Sequence, residues 1–195
     1  TPSRKLGQSF LVDENISRWI VSQLRAGPKD TVIEVGPGFG ALTEHLAGKV
    51  GRLVLIEKDG RLAKFLNEKF GPLGVEVVHG DATEYDIRPH FLEGEIKFIG
   101  NLPYSAGNEI LRRFLDAPSP VSEAIVMVQK EVGDRFTAVP KTKAYGVLGL
   151  MLQERWVPTA IRTVGPGPFH PRPAVDSTIL RFERRPEREF PLHSP

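Results

Sequence analysis

The chain has 195 residues, 40% of them hydrophobic, with no cysteine and a formal net charge of +2 at pH 7. That length fits one domain around one good core, and without cysteine there are no disulfides or thiolate metal sites, as expected in a reducing cytoplasm. No apolar run is long enough to cross a bilayer and no signal-peptide core is evident, so the sequence reads as a soluble, cytoplasmic protein with no membrane partner.

Residues 1–95 carry 12 Lys and Arg against 14 Asp and Glu, and residues 96–195 carry 14 against 10. The second half is thus mildly basic, which permits a phosphate-bearing partner without requiring one. The first predicted element is a helix capped by Asp13 or Asn15, with Ile16, Trp19, Ile20 and Leu24 at helical spacing and Gly27-Pro28 as its stop. Thr31–Val35 is short, β-branched and apolar on both sides of Glu34, the pattern of a buried parallel strand. It runs into Gly36, Gly38 and Gly40, which allow positive φ and close backbone approach, and then into a helix over 41–47 whose first turn would aim N–H groups at a polar ligand.

A second buried strand, Leu53–Ile56, ends at Glu57, about 20 residues past the first glycine, where an acid can accept from both hydroxyls of a ribose. A helix over Arg61–Phe70 and a strand over 75–78 follow, and Asp81 again stands at a strand's carboxyl end, where ligands gather in open α/β sheets. The fourth strand, Ile96–Ile99, leads into Gly100-Asn101-Leu102-Pro103-Tyr104; a helix around Ile110–Leu115 and a fifth strand over 124–128 come next. Helices are predicted from Glu131 to Phe136 and from Tyr145 to Leu152, with the basic loop Lys141-Thr142-Lys143 between them. Strands over 157–164 and 177–182 flank a proline-rich loop around Phe169, and since no helix fits between them that pair should be antiparallel. The expected fold is α/β: a mostly parallel seven-stranded sheet closed by a terminal antiparallel strand, in one domain over 1–185, with 186–195 a tail or the start of a linker.

Glycine backbone, Glu57 and Asp81 together describe a nucleoside pocket, with ribose on Glu57 and an adenine amine on Asp81. NAD fits poorly, because only one mononucleotide-binding unit is evident and no hydride-transfer acid/base pair accompanies it. S-adenosylmethionine fits better, because Asn101-Leu102-Pro103-Tyr104 lies where its methyl group would point. A nucleobase amine is a poor nucleophile while its lone pair is delocalised into the ring. If its two N–H groups donate to the Asn101 side-chain oxygen and the Leu102 carbonyl, the nitrogen can pyramidalise. Pro103 stiffens the turn, Tyr104 offers a face for the base, and Phe169, held by a proline-rich loop, is the candidate for the opposite jaw of a clamp on a flipped base.

Six blocks then align with one family in order: Gly-Gln-Ser-Phe-Leu at 7–11, Glu-Val-Gly-Pro-Gly-Phe-Gly at 34–40, Asn-Leu-Pro-Tyr at 101–104, Gln-Lys-Glu-Val at 129–132, Lys-Ala-Tyr-Gly at 143–146 and Phe-x-Pro-x-Pro-x-Val-Asp-Ser at 169–177. From Leu6 to Phe182 the chain resembles the catalytic domain of the KsgA-type small-subunit ribosomal RNA adenine dimethyltransferases, related to the Erm enzymes and to mitochondrial transcription factor B. The resemblance implies a Rossmann-like class I S-adenosylmethionine-dependent methyltransferase. It would act without metal, as a monomer, on two adjacent adenines of small-subunit rRNA in an assembling subunit, giving N6,N6-dimethyladenine. It also implies donor contacts from Gln8, Ser9, Leu11, Gly36, Gly38, Glu57, Lys58, Asp81, Ala82 and Asn101, and base clamping by Tyr104 and Phe169. Ser9 stands where the family usually has Asn or His, so a contact there must come from a shorter side chain or from backbone. The family also carries a small helical domain after the catalytic one, and this sequence ends at Pro195; donor binding is expected to survive without that domain and RNA selection to weaken. Two rivals accompany this reading: an Erm-type enzyme acting on large-subunit rRNA, and a non-catalytic assembly factor that keeps the donor pocket.

Overall fold

The computed structural model describes residues 9–138 and 147–186. Its elements run β1 (Phe10–Leu11), α1 (Glu14–Gln23), β2 (Thr31–Val35), α2 (Thr43–Leu46), β3 (Arg52–Glu57), α3 (Gly60–Phe70), β4 (Glu76–His79), β5 (Ile96–Asn101), α4 (Gly107–Leu115), β6 (Val121–Gln129), α5 (Lys130–Phe136), α6 (Val147–Arg155), β7 (Trp156–Val164), β8 (Phe169–His170) and β9 (Ser177–Arg184). Asp13 is the cap of α1: its Oδ1 accepts from the Ile16 N–H at 2.9 Å. The helix after the glycine turn is shorter than its apolar pattern suggests, only Thr43–Leu46. The predicted start of α6 at Tyr145 and the loop lysines Lys141 and Lys143 lie outside the described residues.

Seven strands form one sheet in the order β4-β3-β2-β5-β6-β9-β7. β2 pairs in parallel with β3 on one side and with β5 on the other, so the direction of winding reverses between β2 and β5. β9, the last strand among the described residues, is the antiparallel one, and it inserts between β6 and β7, pairing with both. β1 and β8 form a separate two-stranded ribbon in which Leu11 faces Phe169, a pairing that no local pattern announced.

Both faces of the sheet are covered, which is why its central strands are apolar almost throughout. On one face Leu24 of the α1 cap, Leu46 and Leu66 pack on Leu53 and Leu55. On the other, Ile110, Leu111 and Phe114 of α4 pack on Phe98 and Val54, with the Phe98 and Phe114 rings stacked at 4.5 Å. Helices on both faces leave the strand ends free. The carboxyl ends of β2, β3 and β5, together with the loop after β4, open on one cavity beside the reversal point, the place where such sheets take their ligands.

Candidate active site

The cavity begins at the glycine turn after β2. Gly36 and Gly38 have φ of +67° and +59°, and a Cβ would come within 2.9 Å of the Asn101 carbonyl oxygen at the first and 2.7 Å of the Phe10 ring at the second. Both close approach and left-handed backbone therefore demand glycine here. Glu57, at the end of β3, is buried and lines the same cavity. Its Oε2 accepts from the Gly38 N–H at 3.3 Å and its Oε1 from the Asp59 N–H at 2.9 Å. Burial raises its pKa, opposed by those backbone N–H donors.

Asp81 and Ala82 form the wall beyond β4. The Lys58 ammonium, then the N–H and hydroxyl of Thr83, hold the Asp81 carboxyl down to about 2. Oδ2 takes Lys58 and Oδ1 takes Thr83 Oγ1 at 2.8 Å, so a ligand amine must share Asp81 with these partners. Lys58 lines the cavity as well.

At the end of β5, Asn101 Nδ2 donates to the Ser9 carbonyl at 3.3 Å. That bond fixes the amide orientation and leaves Oδ1 without a donor among the described residues. The Leu102 N–H donates to the Met127 carbonyl at 3.0 Å, and the Pro103 carbonyl accepts from Ala106 and Gly107. Among the described residues no donor reaches the Leu102 carbonyl. Tyr104, half-buried, and Phe169, buried, also line the cavity. Phe169 packs in the core cluster that holds Leu11, Met127 and Ile179, so its ring is core on one side and cavity wall on the other.

The structure thus brings Ser9, Leu11, Gly36, Gly38, Glu57, Lys58, Asp81, Ala82, Asn101, Leu102, Pro103, Tyr104 and Phe169 around one cavity. Gln8 lies outside the described residues. Two basic residues of α4 are engaged within the protein: Arg113 donates to the Tyr85 carbonyl at 2.6 Å and Arg112 pairs with Asp116 at 3.1 Å.

Among the lining residues that sequence reasoning did not assign to the site are Phe10 and Glu34. Phe10 sits edge-on to Phe39, with ring centroids 4.9 Å apart. Glu34 is 1% exposed; its Oε2 accepts from Thr43 Oγ1 at 2.8 Å and its Oε1 has no partner among the described residues. Its signal in the sequence was a carboxylate inside an otherwise apolar strand. Desolvation raises its pKa to about 8, against the Thr43 hydrogen bond. The folded protein then holds this proton at pH values where the unfolded chain has released it, so stability is fully present below the unfolded value and is lost as pH rises through about 8. Thermal melts of Glu34→Gln between pH 5 and 9 should show a flatter dependence than the parent, with the variant gaining most at the alkaline end; parallel profiles would refute a buried titrating Glu34.

A mostly parallel, doubly covered sheet with a glycine turn, a strand-end acid and a ligand cavity at the reversal point is the class I methyltransferase fold. Within that class the chain belongs to the ribosomal RNA adenine dimethylase family, whose profile matches residues 2–192. It is 45% identical over 184 residues, 92% of this chain and 66% of the relative, to ribosomal RNA small subunit methyltransferase A of Geobacter metallireducens. Its likeness to the counterpart from Malacoplasma penetrans is 37% over 188 residues, 96% of this chain and 68% of that one. The chain therefore spans about two thirds of the length of these relatives. Among solved structures, the 23S rRNA methyltransferase ErmE superposes with a TM-score of 0.80 at 30% identity, covering 90% of this chain and 70% of that one.

Proposed function

We propose that the chain is an S-adenosylmethionine-dependent methyltransferase domain that dimethylates N6 of two adjacent adenines in small-subunit rRNA during ribosome assembly. Residues 1–185 form that domain and 186–195 a tail or linker. The cavity fits the donor on three counts: a glycine cradle that any Cβ would fill, a buried carboxylate at the end of β3, and an acid at the end of β4. Glu57 holds the ribose hydroxyls, Asp81 with Ala82 the adenine, and Gly36, Gly38, Leu11 and the Ser9 backbone the remaining part of the donor. The bound donor supplies an electrophilic methyl group.

The observation that carries the reading is the pair of acceptors at the end of β5, Asn101 Oδ1 and the Leu102 carbonyl, which meet no donor among the described residues and stand beside Tyr104. They accept the two N–H groups of the target amine, so its nitrogen lone pair leaves conjugation with the ring. Positioned acceptors of this kind require no reorganisation during the reaction. Tyr104 and Phe169 hold the base from its two faces, and the methylated amine gives its proton to water. No titrating general base is required, because the amine becomes acidic as it acquires the methyl group. A methyl-transfer assay with labelled donor on unmodified small subunits, followed by mapping of the modified base, tests this. Label in two adjacent dimethyladenines is expected; label confined to large subunits would favour the Erm-type alternative, for which the likeness to ErmE speaks.

The chain acts as a monomer in the cytoplasm. Among the described residues no helix is long and apolar enough to cross a membrane.

A further inference from the structure

We infer that Tyr85 and His90 are positioning residues for the wall that takes the donor's adenine; this rests on the donor contacts proposed above for Asp81 and Ala82. Neither side chain lines the donor cavity. Their effect reaches the ligand through the backbone of one turn.

The strand that carries this wall is supported from one side only. Asp81 and Ala82 follow β4, which lies at the edge of the sheet and pairs only with β3 among the described residues. Beyond it the chain makes short local bonds: the Thr83 N–H donates to Asp81 Oδ1 and the Glu84 N–H to the Asp81 carbonyl, each at 3.0 Å. Bonds of this kind shape the turn but do not place it against the cavity, so its position depends on what holds its far end. Tyr85 is that end. Its ring stacks on Phe114 with centroids 5.9 Å apart, its carbonyl accepts from Arg113 Nε, and its hydroxyl meets His90 Nε2 at 2.8 Å.

The first two contacts tie the turn to α4, and the third ties it to the outer strands. His90 sits in a helical turn over Arg88–Leu92 and is 2% exposed. Its Nδ1 lies 3.0 Å from Glu93 Oε2. A carboxylate only accepts, which assigns the proton to Nδ1; Nε2 is then the acceptor and the Tyr85 hydroxyl donates to it. The same Glu93 oxygen accepts from Arg52 at the start of β3, and Arg52 pairs with Glu76 at the start of β4 at 2.7 Å. A chain of bonds thus runs from the amino ends of β3 and β4 to the turn beyond their carboxyl ends. Because His90 is sealed from water, its Nε2 has no replacement for the tyrosine hydroxyl, and the arrangement that satisfies both is strongly favoured.

Calorimetry of the demethylated product, S-adenosylhomocysteine, on the full chain tests this without RNA. Tyr85→Phe keeps the ring and its stack and removes only the hydroxyl. Its Kd should rise about 3- to 10-fold, the range for one buried hydrogen bond lost from the binding-competent arrangement. On unmodified small subunits KM for the donor should rise while kcat at saturating donor stays at the parent's value. The hypoxanthine analogue of the product, which lacks the adenine amine, should lose less affinity, so the preference for adenine narrows; a general loss of stability would weaken both ligands alike. His90→Phe should repeat this result. His90→Gln, which still offers an acceptor to Tyr85 and a donor to Glu93, should retain most of the affinity. In an Asp81→Ala background, Tyr85→Phe should add less than it does alone. A parent that binds product beside a Tyr85→Phe protein of equal affinity and equal adenine preference would overturn the anchor alone. A parent that binds no product removes the donor pocket itself, and the anchor with it.

Discussion

Replacing Asn101 by alanine is expected to lower methyl transfer on the order of 10²- to 10³-fold, the usual loss when one preorganised polar group aimed at the reacting atom is removed. On the roles proposed above, donor affinity should fall only modestly, because the donor keeps Glu57, Asp81 and the glycine backbone. The variant also loses the hydrogen bond from Nδ2 to the Ser9 carbonyl, so the mouth of the cavity loosens slightly. Single-turnover rates at saturating donor separate the two effects: a large drop in the chemical step with a small change in donor affinity is the expected result. Turnover equal to the parent's would remove the acceptor pair from the mechanism.

Glu57→Ala is the second large effect, and it should fall on binding. Hydrogen bonds to a charged group contribute about 1.5–3 kcal/mol each, so losing the acceptor for two hydroxyls should weaken donor binding by about 3 kcal/mol, or 100-fold. The Gly38 and Asp59 N–H groups lose their partner as well, which loosens the turn that approaches the donor. Burial raises the Glu57 pKa in the free protein, whereas two donating hydroxyls favour the carboxylate. Binding should therefore release protons, and affinity should climb as pH rises through the raised value and then level off. Calorimetry of donor and demethylated product across that range checks both points, and Glu57→Gln should flatten the profile. An affinity unaffected by either substitution would exclude the ribose contact.

These outcomes also separate an enzyme from an assembly factor that merely keeps the pocket. A binding factor would tolerate Asn101→Ala without functional loss and would still need Glu57 for whatever its donor pocket stabilises. An enzyme shows opposite splits for the two residues, one in turnover and one in affinity.

Much of the cavity was legible because its parts are short patterns at strand ends. Gly36, Gly38 and Gly40 follow an apolar run, Glu57 closes the next, Asp81 follows the third, and Asn101 to Tyr104 follow the fourth. In a parallel sheet consecutive carboxyl ends lie on one edge, so order in the chain already implies neighbourhood in space. The periodicities that define strands and helices are likewise properties of a few successive residues, and they located the seven strands of the sheet.

What the sequence by itself determined, then, was the fold class, the residues that stand at the strand ends and the family. Tertiary structure alone decided that β9 enters between β6 and β7, that Leu11 meets Phe169 across 158 positions of chain, and that the Ser9 carbonyl turns the Asn101 amide. It alone decided that Glu34 is desolvated beside the cavity. The reason is physical: such contacts join segments far apart in sequence, and their partners are selected by docking of whole elements and by exclusion of water, neither of which leaves a trace in local residue spacing.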